Sequence, residues 1–161
     1  MNNIETKLTK VKLTTDILFV LRRLYSPEAD RALVENGANG RCLAARFFAY
    51  MMNHTGCDPD YQGVTWDPEY NRHGHDTKEL DGSEIVPDLI LHHRGDDSAN
   101  ILVVEFKKKG QSLKSDRVKL AKLTGSPYYF RYQLGLLIVF GIDKITLEWF
   151  RDGLSFSLLG G

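Results

Sequence analysis

The sequence predicts an α+β fold in which helices flank a mixed central β-sheet of about four strands. Apolar residues recur at helical spacing in the N-terminal third, and apolar runs of strand length occupy the middle and the end of the chain. No repeat or linker-like tract divides the 161 residues, of which 42% are hydrophobic. A chain of this size can fill one core, so we expect a single domain over residues 1–161.

Two helices are predicted in the N-terminal third. The first begins at a capping Thr14 or Thr15 and ends at Ser26-Pro27, because threonine favours the cap position and proline interrupts a helix. Its apolar positions at helical spacing are Ile17, Leu18, Leu21 and Leu24. The second helix spans residues 39–53, and the positions that it buries are Leu43, Phe47 and Met51.

A β-hairpin is predicted in the middle of the chain. Residues 64–70 form an extended segment interrupted by Pro68, and a polar loop follows over residues 71–82. Residues 84–93 and 101–109 have the composition of strands, and a turn-rich connection separates them. We therefore expect these two strands to pair antiparallel.

A short helix and two strands complete the predicted fold. The helix covers residues 116–123, and the strands cover residues 132–141 and 145–150 with a tight turn between them. Helices on a mixed sheet are one of the few arrangements that bury an apolar face of each element.

Charged side chains lie on the second strand of the hairpin. Side chains alternate along a strand, so Glu105 and Lys107 share one face, roughly 6.6 Å apart along the backbone. The opposite face contains Leu102, Val104 and Phe106. We expect that second face to be core and the charged face to be open. Asp88 lies in an apolar stretch of the partner strand, where an unpaired carboxylate is costly, so it requires a cation.

The cation beside Asp88 is either Lys107 or a divalent metal. Two carboxylates, Asp88 and Glu105, with the carbonyl of Phe106 supply the oxygen ligands that Mg²⁺ prefers, and Mn²⁺ is expected to substitute. Such a site suits phosphodiester hydrolysis, in which Lys107 would position or deprotonate the attacking water or stabilise the transition-state charge. The simpler alternative is a cross-strand ion pair between Lys107 and one of the two acids.

These residues resemble a known signature. Pro87-Asp88, sixteen intervening residues and then Glu105-Phe106-Lys107 are similar to the motif of the PD-(D/E)XK nuclease superfamily, and particularly to its small uncharacterised bacterial members. The resemblance implies a restriction-endonuclease-like core and a metal-dependent nuclease that hydrolyses phosphodiester bonds, in DNA rather than RNA. It also implies that Asp88 and Glu105 hold the metal and that Lys107 is the catalytic cation.

The chain departs from that family pattern at one position. Related members often have a glutamate at the start of the helix before the hairpin, where this chain has Gly40. Glu69 is a candidate to support the metal site instead. The alternative is a catalytically weak or inactive module with the nuclease fold that binds nucleic acid or a protein partner.

Charge is segregated along the chain although 21 basic and 21 acidic residues cancel overall. Residues 107–131 contain eight basic side chains and a single acid. A basic stripe of this kind favours the phosphate backbone, and the candidate nucleic-acid contacts are Lys108, Lys109, Lys114 and Arg117. The alternative for Lys114, Lys119 and Lys122 is a solvated helix face.

Location and partners follow from size and hydropathy. No apolar run approaches the length of a membrane helix and the polar start lacks a signal-peptide core, so we expect a cytoplasmic protein without a membrane partner. A domain of 161 residues has little room for a separate specificity unit. We expect selectivity to come from the N-terminal helices, from a homodimer or from a separate specificity subunit.

Overall fold

The computed structural model describes residues 8–73, 76–125 and 130–156, which form an α+β fold with a mixed central sheet. This confirms the predicted fold class. The helices in these ranges are α1 (Lys10–Leu24), α2 (Arg31–Glu35), α3 (Gly40–Thr55) and α4 (Lys114–Thr124), with a 3₁₀ turn at Pro59–Tyr61.

The described strands are more numerous than the sequence predicted. In chain order they are β1 (Thr65–Pro68), β2 (Arg72–His73), β3 (Asp76–Thr77), β4 (Glu79–Leu80), β5 (Ser83–Glu84), β6 (Leu89–His92), β7 (Asn100–Lys108), β8 (Leu134–Phe140), β9 (Ile145–Arg151) and β10 (Leu154–Phe156). Six of them form one sheet in the order β1-β6-β7-β8-β9-β10, whereas β2 pairs with β3 and β4 pairs with β5. The expected number of about four sheet strands is therefore wrong.

The additional sheet strands are the two edges. β1 is the segment predicted only as extended, and β10 follows β9 through the two-residue turn Asp152-Gly153. Both turn residues have positive φ, 53° and 80°, as a type I′ hairpin turn requires. The same chemistry joins β4 to β5, where Asp81 and Gly82 have φ of 52° and 77°. The predicted loop over residues 71–82 therefore contains short strands.

Helix α1 begins five or six residues earlier than the sequence predicted. Thr9 is its cap, and the Thr9 side chain accepts a hydrogen bond from the Lys12 amide at 3.1 Å. The hydroxyls of Thr14 and Thr15 instead donate to backbone carbonyls four residues earlier, so both lie inside the helix. Helix α3 matches its prediction closely, and the Asn39 side chain caps it by accepting from the Cys42 amide.

The hairpin and its neighbouring strand form the centre of the sheet. β6 and β7 pair antiparallel as predicted, and β7 and β8 pair parallel with α4 as their crossover helix. β6 begins at Leu89 rather than near residue 84, because Pro87 has no amide hydrogen to donate to a strand partner. Asp88 thus lies directly before the strand.

Both faces of β7 are covered. Leu102, Val104 and Phe106 pack in the core cluster that includes α1 and α3, as the alternation predicted. Val103, on the opposite face, packs with Leu120 and Leu123 of α4. The face that bears Glu105 and Lys107 is therefore not open, which corrects the expectation that this face bears charge toward solvent. A crossover helix must cover it because parallel strands are joined across one face of the sheet.

No helix within residues 8–73, 76–125 or 130–156 combines the length and the apolar character needed to cross a membrane.

Candidate active site

The predicted catalytic and metal-binding residues line one pocket of about 790 Å³ at the end of the central hairpin. Strand pairing stops at Pro68–Leu89 on one side of β6 and at Leu89–Val104 on the other. β7 continues for four more residues, so β6 and β7 diverge there. The pocket lies at this divergence, between the N-terminal turn of α3 and the first half of α4. Asp88, Glu105, Phe106 and Lys107 all belong to its wall.

Asp88 is oriented by the backbone of β7. Its Oδ2 accepts a hydrogen bond from the Phe106 amide at 2.8 Å. This contact occupies an amide that β6 leaves without a strand partner once the two strands diverge. The carboxylate is half-buried and lines the pocket. The predicted role of the Phe106 carbonyl as a metal ligand stays a prediction.

Glu105 is a buried carboxylate with one resident cation. Its residue exposure is 2%, and its Oε1 accepts a hydrogen bond from Lys119 Nζ at 2.8 Å. Burial and the negative charge of Asp88 raise the pKa of Glu105 to about 8, and the Lys119 ammonium opposes that rise. Adding positive charge to this pocket would therefore favour the ionised carboxylate.

Lys107 pairs with an acid that the sequence did not single out. Its Nζ lies 3.2 Å from Oδ2 of Asp116 on α4. Asp116 is 5% exposed. The alternative in which Lys107 simply pairs with Asp88 or Glu105 is not the arrangement observed among the described ion pairs.

The sequence did not predict three charged residues of the pocket wall, which are Arg41, Asp116 and Lys119. The sequence places Lys119 in the basic stripe, with a solvated helix face as the alternative, and its contact with Glu105 corrects that alternative. Asp116 and Lys119 are three residues apart and so lie on one face of α4, opposite Glu105 and Lys107 on β7. That spacing was a usable signal. Arg41 lines the pocket from α3 and makes no ion pair with a described residue.

Glu69 lies in the pocket wall, as its predicted supporting role requires. Its amide donates to the Asp88 carbonyl at 3.1 Å, which puts Glu69 beside Asp88 one residue beyond the end of β1. Its φ of 48° is uncommon for a residue other than glycine, and it turns the chain at the pocket edge. Gly40 also lines the pocket, and a Cβ added there would meet no atom within 4 Å.

The predicted nucleic-acid contacts lie outside the pocket wall. Lys108 Nζ donates to the Gly37 carbonyl at 3.0 Å, and Arg117 pairs with Glu148 at 2.8 Å. Lys109 and Lys114 are exposed and make no ion pair with a described residue. The basic stripe is therefore partly neutralised by the protein itself.

The pocket wall contains oxygen donors of the kind that a hard divalent cation prefers. Asp88 and Glu105 offer carboxylate oxygens in one pocket, and Glu69 offers a third at its edge. A cation there would counter the repulsion that raises the pKa of Glu105. No cluster of three or more His, Cys, Asp or Glu side chains in ligand geometry occurs within the described ranges.

No protein-family model matches this chain, and no curated protein is significantly similar to it.

Proposed function

We propose that this protein is a metal-dependent nuclease with a restriction-endonuclease-like core, which hydrolyses phosphodiester bonds in DNA rather than RNA. The observation behind the proposal is that Asp88, Glu105 and Lys107 line one pocket where β6 and β7 diverge. The antiparallel pairing of β6 with β7 and the parallel pairing of β7 with β8 support it, because the PD-(D/E)XK motif requires the acid and the E-x-K on neighbouring strands.

Each side chain has a role in this proposal. Asp88, Glu105 and the Phe106 carbonyl would hold Mg²⁺ or Mn²⁺, and Glu69 would support the ion from the pocket edge. A bound divalent ion supplies positive charge for the phosphate and lowers the pKa of an attacking water. Lys107 then orients that water or stabilises negative charge on the phosphate, from a position held by Asp116. Arg41 is available to bind a neighbouring phosphate.

The test is cleavage of a mixed DNA and RNA panel with Mg²⁺, with Mn²⁺ and with EDTA. Cleavage by the wild type with metal, and its loss in Asp88→Asn, Glu105→Gln and Lys107→Met, is the expected result. Glu84→Gln and Lys144→Met are matched controls because both wild-type residues are exposed and outside the pocket. Metal-independent cleavage would refute the proposed metal dependence, and equal cleavage by Lys107→Met with folding retained would refute the proposed role of Lys107. Absence of cleavage under every condition would refute the nuclease proposal.

A binding module without turnover is a second candidate, and Gly40 favours it. Glycine leaves the N-terminal turn of α3 without the acid that related nucleases often have there. Because a Cβ at position 40 has free space, Gly40→Glu should fold and add a carboxylate to the pocket wall. Metal-dependent cleavage that appears only in Gly40→Glu, and not in Gly40→Gln, would favour the inactive module. Nucleic-acid binding without cleavage by the wild type would agree.

The proposed partners are DNA and either a second copy of the chain or a separate specificity subunit. Light scattering coupled to size-exclusion chromatography tests the homodimer. A strict monomer that cleaves DNA alone with sequence preference would contradict the need for either protein partner.

A further inference from the structure

Two ion pairs join α4 to β7 inside the pocket, and each element supplies one acidic and one basic side chain. Lys119 on the helix contacts Glu105 on the strand at 2.8 Å, and Asp116 on the helix contacts Lys107 on the strand at 3.2 Å. The spacing of three residues on the helix matches the spacing of two on the strand, because both bring side chains to one face. Each charge of one element therefore meets an opposite charge of the other.

Among the residues that the structure describes, Lys119 is the basic side chain that forms an ion pair with Glu105. The carboxylate side chain is 3% exposed, whereas the Lys119 side chain is 24% exposed and so retains contact with solvent. Lys119 Nζ also lies 3.4 Å from the Val86 carbonyl, which tethers it near the start of β6. Lys107 does not neutralise Glu105, since its ammonium is paired with Asp116.

The same carboxylate would have to serve a metal ion in the proposed nuclease. An ammonium at 2.8 Å satisfies the acceptor oxygen that the ion would use, and two positive charges at one buried carboxylate repel each other. The side chain of Lys119 is flexible and partly exposed, so its ammonium can move toward water. The side chain of Glu105 is buried and cannot do so.

We infer that Lys119 is a resident counter-ion of Glu105 that competes with a divalent cation for the same carboxylate. This inference rests on the proposed metal-dependent function. It assigns Lys119 a positioning role: it holds Glu105 while the metal is absent and withdraws when the metal binds. The metal affinity of the wild type is then lower than its carboxylates alone would produce.

Calorimetric titration with Mn²⁺ tests the competition. Lys119→Gln removes the charge but keeps an amide that can donate to Glu105, so it protects the fold better than Lys119→Met. We expect both variants to bind Mn²⁺ about tenfold more tightly than the wild type, the scale of losing one charge-assisted hydrogen bond. Lys122→Gln is the matched control, because it removes the same charge from the same helix and breaks an ion pair to Asp81 outside the pocket.

Thermal unfolding supplies a readout that does not depend on activity. In EDTA, Lys119→Met should melt below the wild type because Glu105 loses its counter-ion, and Mn²⁺ should raise its melting temperature more than that of the wild type. Lys122→Gln should show the wild-type response to Mn²⁺. A Lys119→Gln protein that binds Mn²⁺ equally or more weakly than the wild type overturns the inference.

The two failures are distinguishable. Mn²⁺ binding that Glu105→Gln abolishes but Lys119→Gln leaves unchanged would retain the proposed function and overturn the competition alone. Absence of Mn²⁺ binding in the wild type and in every variant would overturn both.

Discussion

Individual side chains in this protein are held by partners from other secondary-structure elements. Lys107 depends on Asp116, which also receives a hydrogen bond from the Ser115 hydroxyl at 3.3 Å. A long, flexible lysine gains a defined position only when such a partner holds its ammonium. Asp116 is therefore a positioning residue for the proposed reaction.

Replacing Asp116 should slow cleavage without abolishing metal binding. We expect Asp116→Asn to lower kcat about tenfold or more, since a misplaced catalytic group loses the benefit of orientation. Asp116→Glu should restore part of the rate, which a purely structural role would not require. Single-turnover kinetics and Mn²⁺ titration measure the two effects. Asp152→Asn, at an exposed turn, is the control.

Lys78 is a second residue whose environment comes from elsewhere in the chain. It is 3% exposed, donates to the Tyr132 hydroxyl at 2.7 Å and lies over the rings of Tyr70, Phe130 and Tyr132. Burial lowers the pKa of Lys78 from 10.5 to about 8. Lys78 lies between β3 and β4, so its contact with Tyr132 connects these two short strands to the main fold.

Stability should rise with pH because of Lys78. Between pH 8 and 10.5 the unfolded chain binds more protons at this lysine than the folded chain, so alkali favours folding. We expect a gain of about 1–2 kcal/mol between pH 8 and 9.5, below the range in which unfolded tyrosines ionise. Urea unfolding of the wild type and of Lys78→Met measures it. The methionine variant should lose this gain, and an identical pH slope in both proteins would contradict the assignment.

At the scale of elements, α4 determines whether the site is assembled. It connects β7 to β8 and packs closely on the sheet at Gly135. A Cβ at that glycine would lie 3.1 Å from Thr124 Cγ2, 3.1 Å from Phe150 Cβ and 3.3 Å from Leu120 Cδ2. The helix can approach this closely only because position 135 has no side chain. The same approach brings Asp116 and Lys119 to β7.

A methyl group at Gly135 should therefore disturb both stability and the site. We expect Gly135→Ala to cost about 1–3 kcal/mol, the usual scale for overpacking a filled core. Chemical denaturation measures that cost. Gly40→Ala is the contrasting variant, because its Cβ meets no atom within 4 Å and alanine favours the helix. If Gly135→Ala were as stable as Gly40→Ala, the close approach of α4 would not be a constraint.

At the scale of the whole molecule, zero net charge means that the proposed nucleic-acid binding depends on local basic patches. Arg117 and Lys122 pair with Glu148 and Asp81, and Lys108 contacts the Gly37 carbonyl. Lys109 and Lys114 are thus the exposed cations best able to release counterions from a phosphate backbone. Binding should weaken strongly with salt even though the protein as a whole is neutral.

The salt dependence has an expected size. If the four predicted cations contact phosphates, the logarithm of the DNA association constant should fall with the logarithm of salt concentration with a slope of about −3 to −4. Replacing Lys109 and Lys114 together by glutamine should reduce that slope by about two. Lys144→Gln should leave it unchanged. Fluorescence anisotropy over a salt series measures the slopes, and an unchanged slope in the double variant would exclude both lysines as phosphate contacts.

Parts of the fold were within reach of the sequence but were missed. The Asp81-Gly82 and Asp152-Gly153 pairs are strong two-residue hairpin signals, and they mark the turns before β5 and β10. The strands β4 and β5 have two residues each and β10 has three, too few to show a period. The early start of α1 was also readable from Thr9, which has the same capping chemistry as Thr14.

The sequence alone determined that α3 is a helix and that β6 and β7 form a hairpin. It also determined that Glu105 and Lys107 project from one face of β7 and Phe106 from the other. These features depend on local periodicity, which is legible in one segment. Only the tertiary structure decided that Asp116 pairs with Lys107 and that Lys119 pairs with Glu105. It also decided that α4 covers the face of β7 from which Glu105 and Lys107 project. A helix can rotate about its axis and shift along a sheet without any change in its own sequence pattern. Which of its side chains meet the sheet is set by packing against residues far away in the chain.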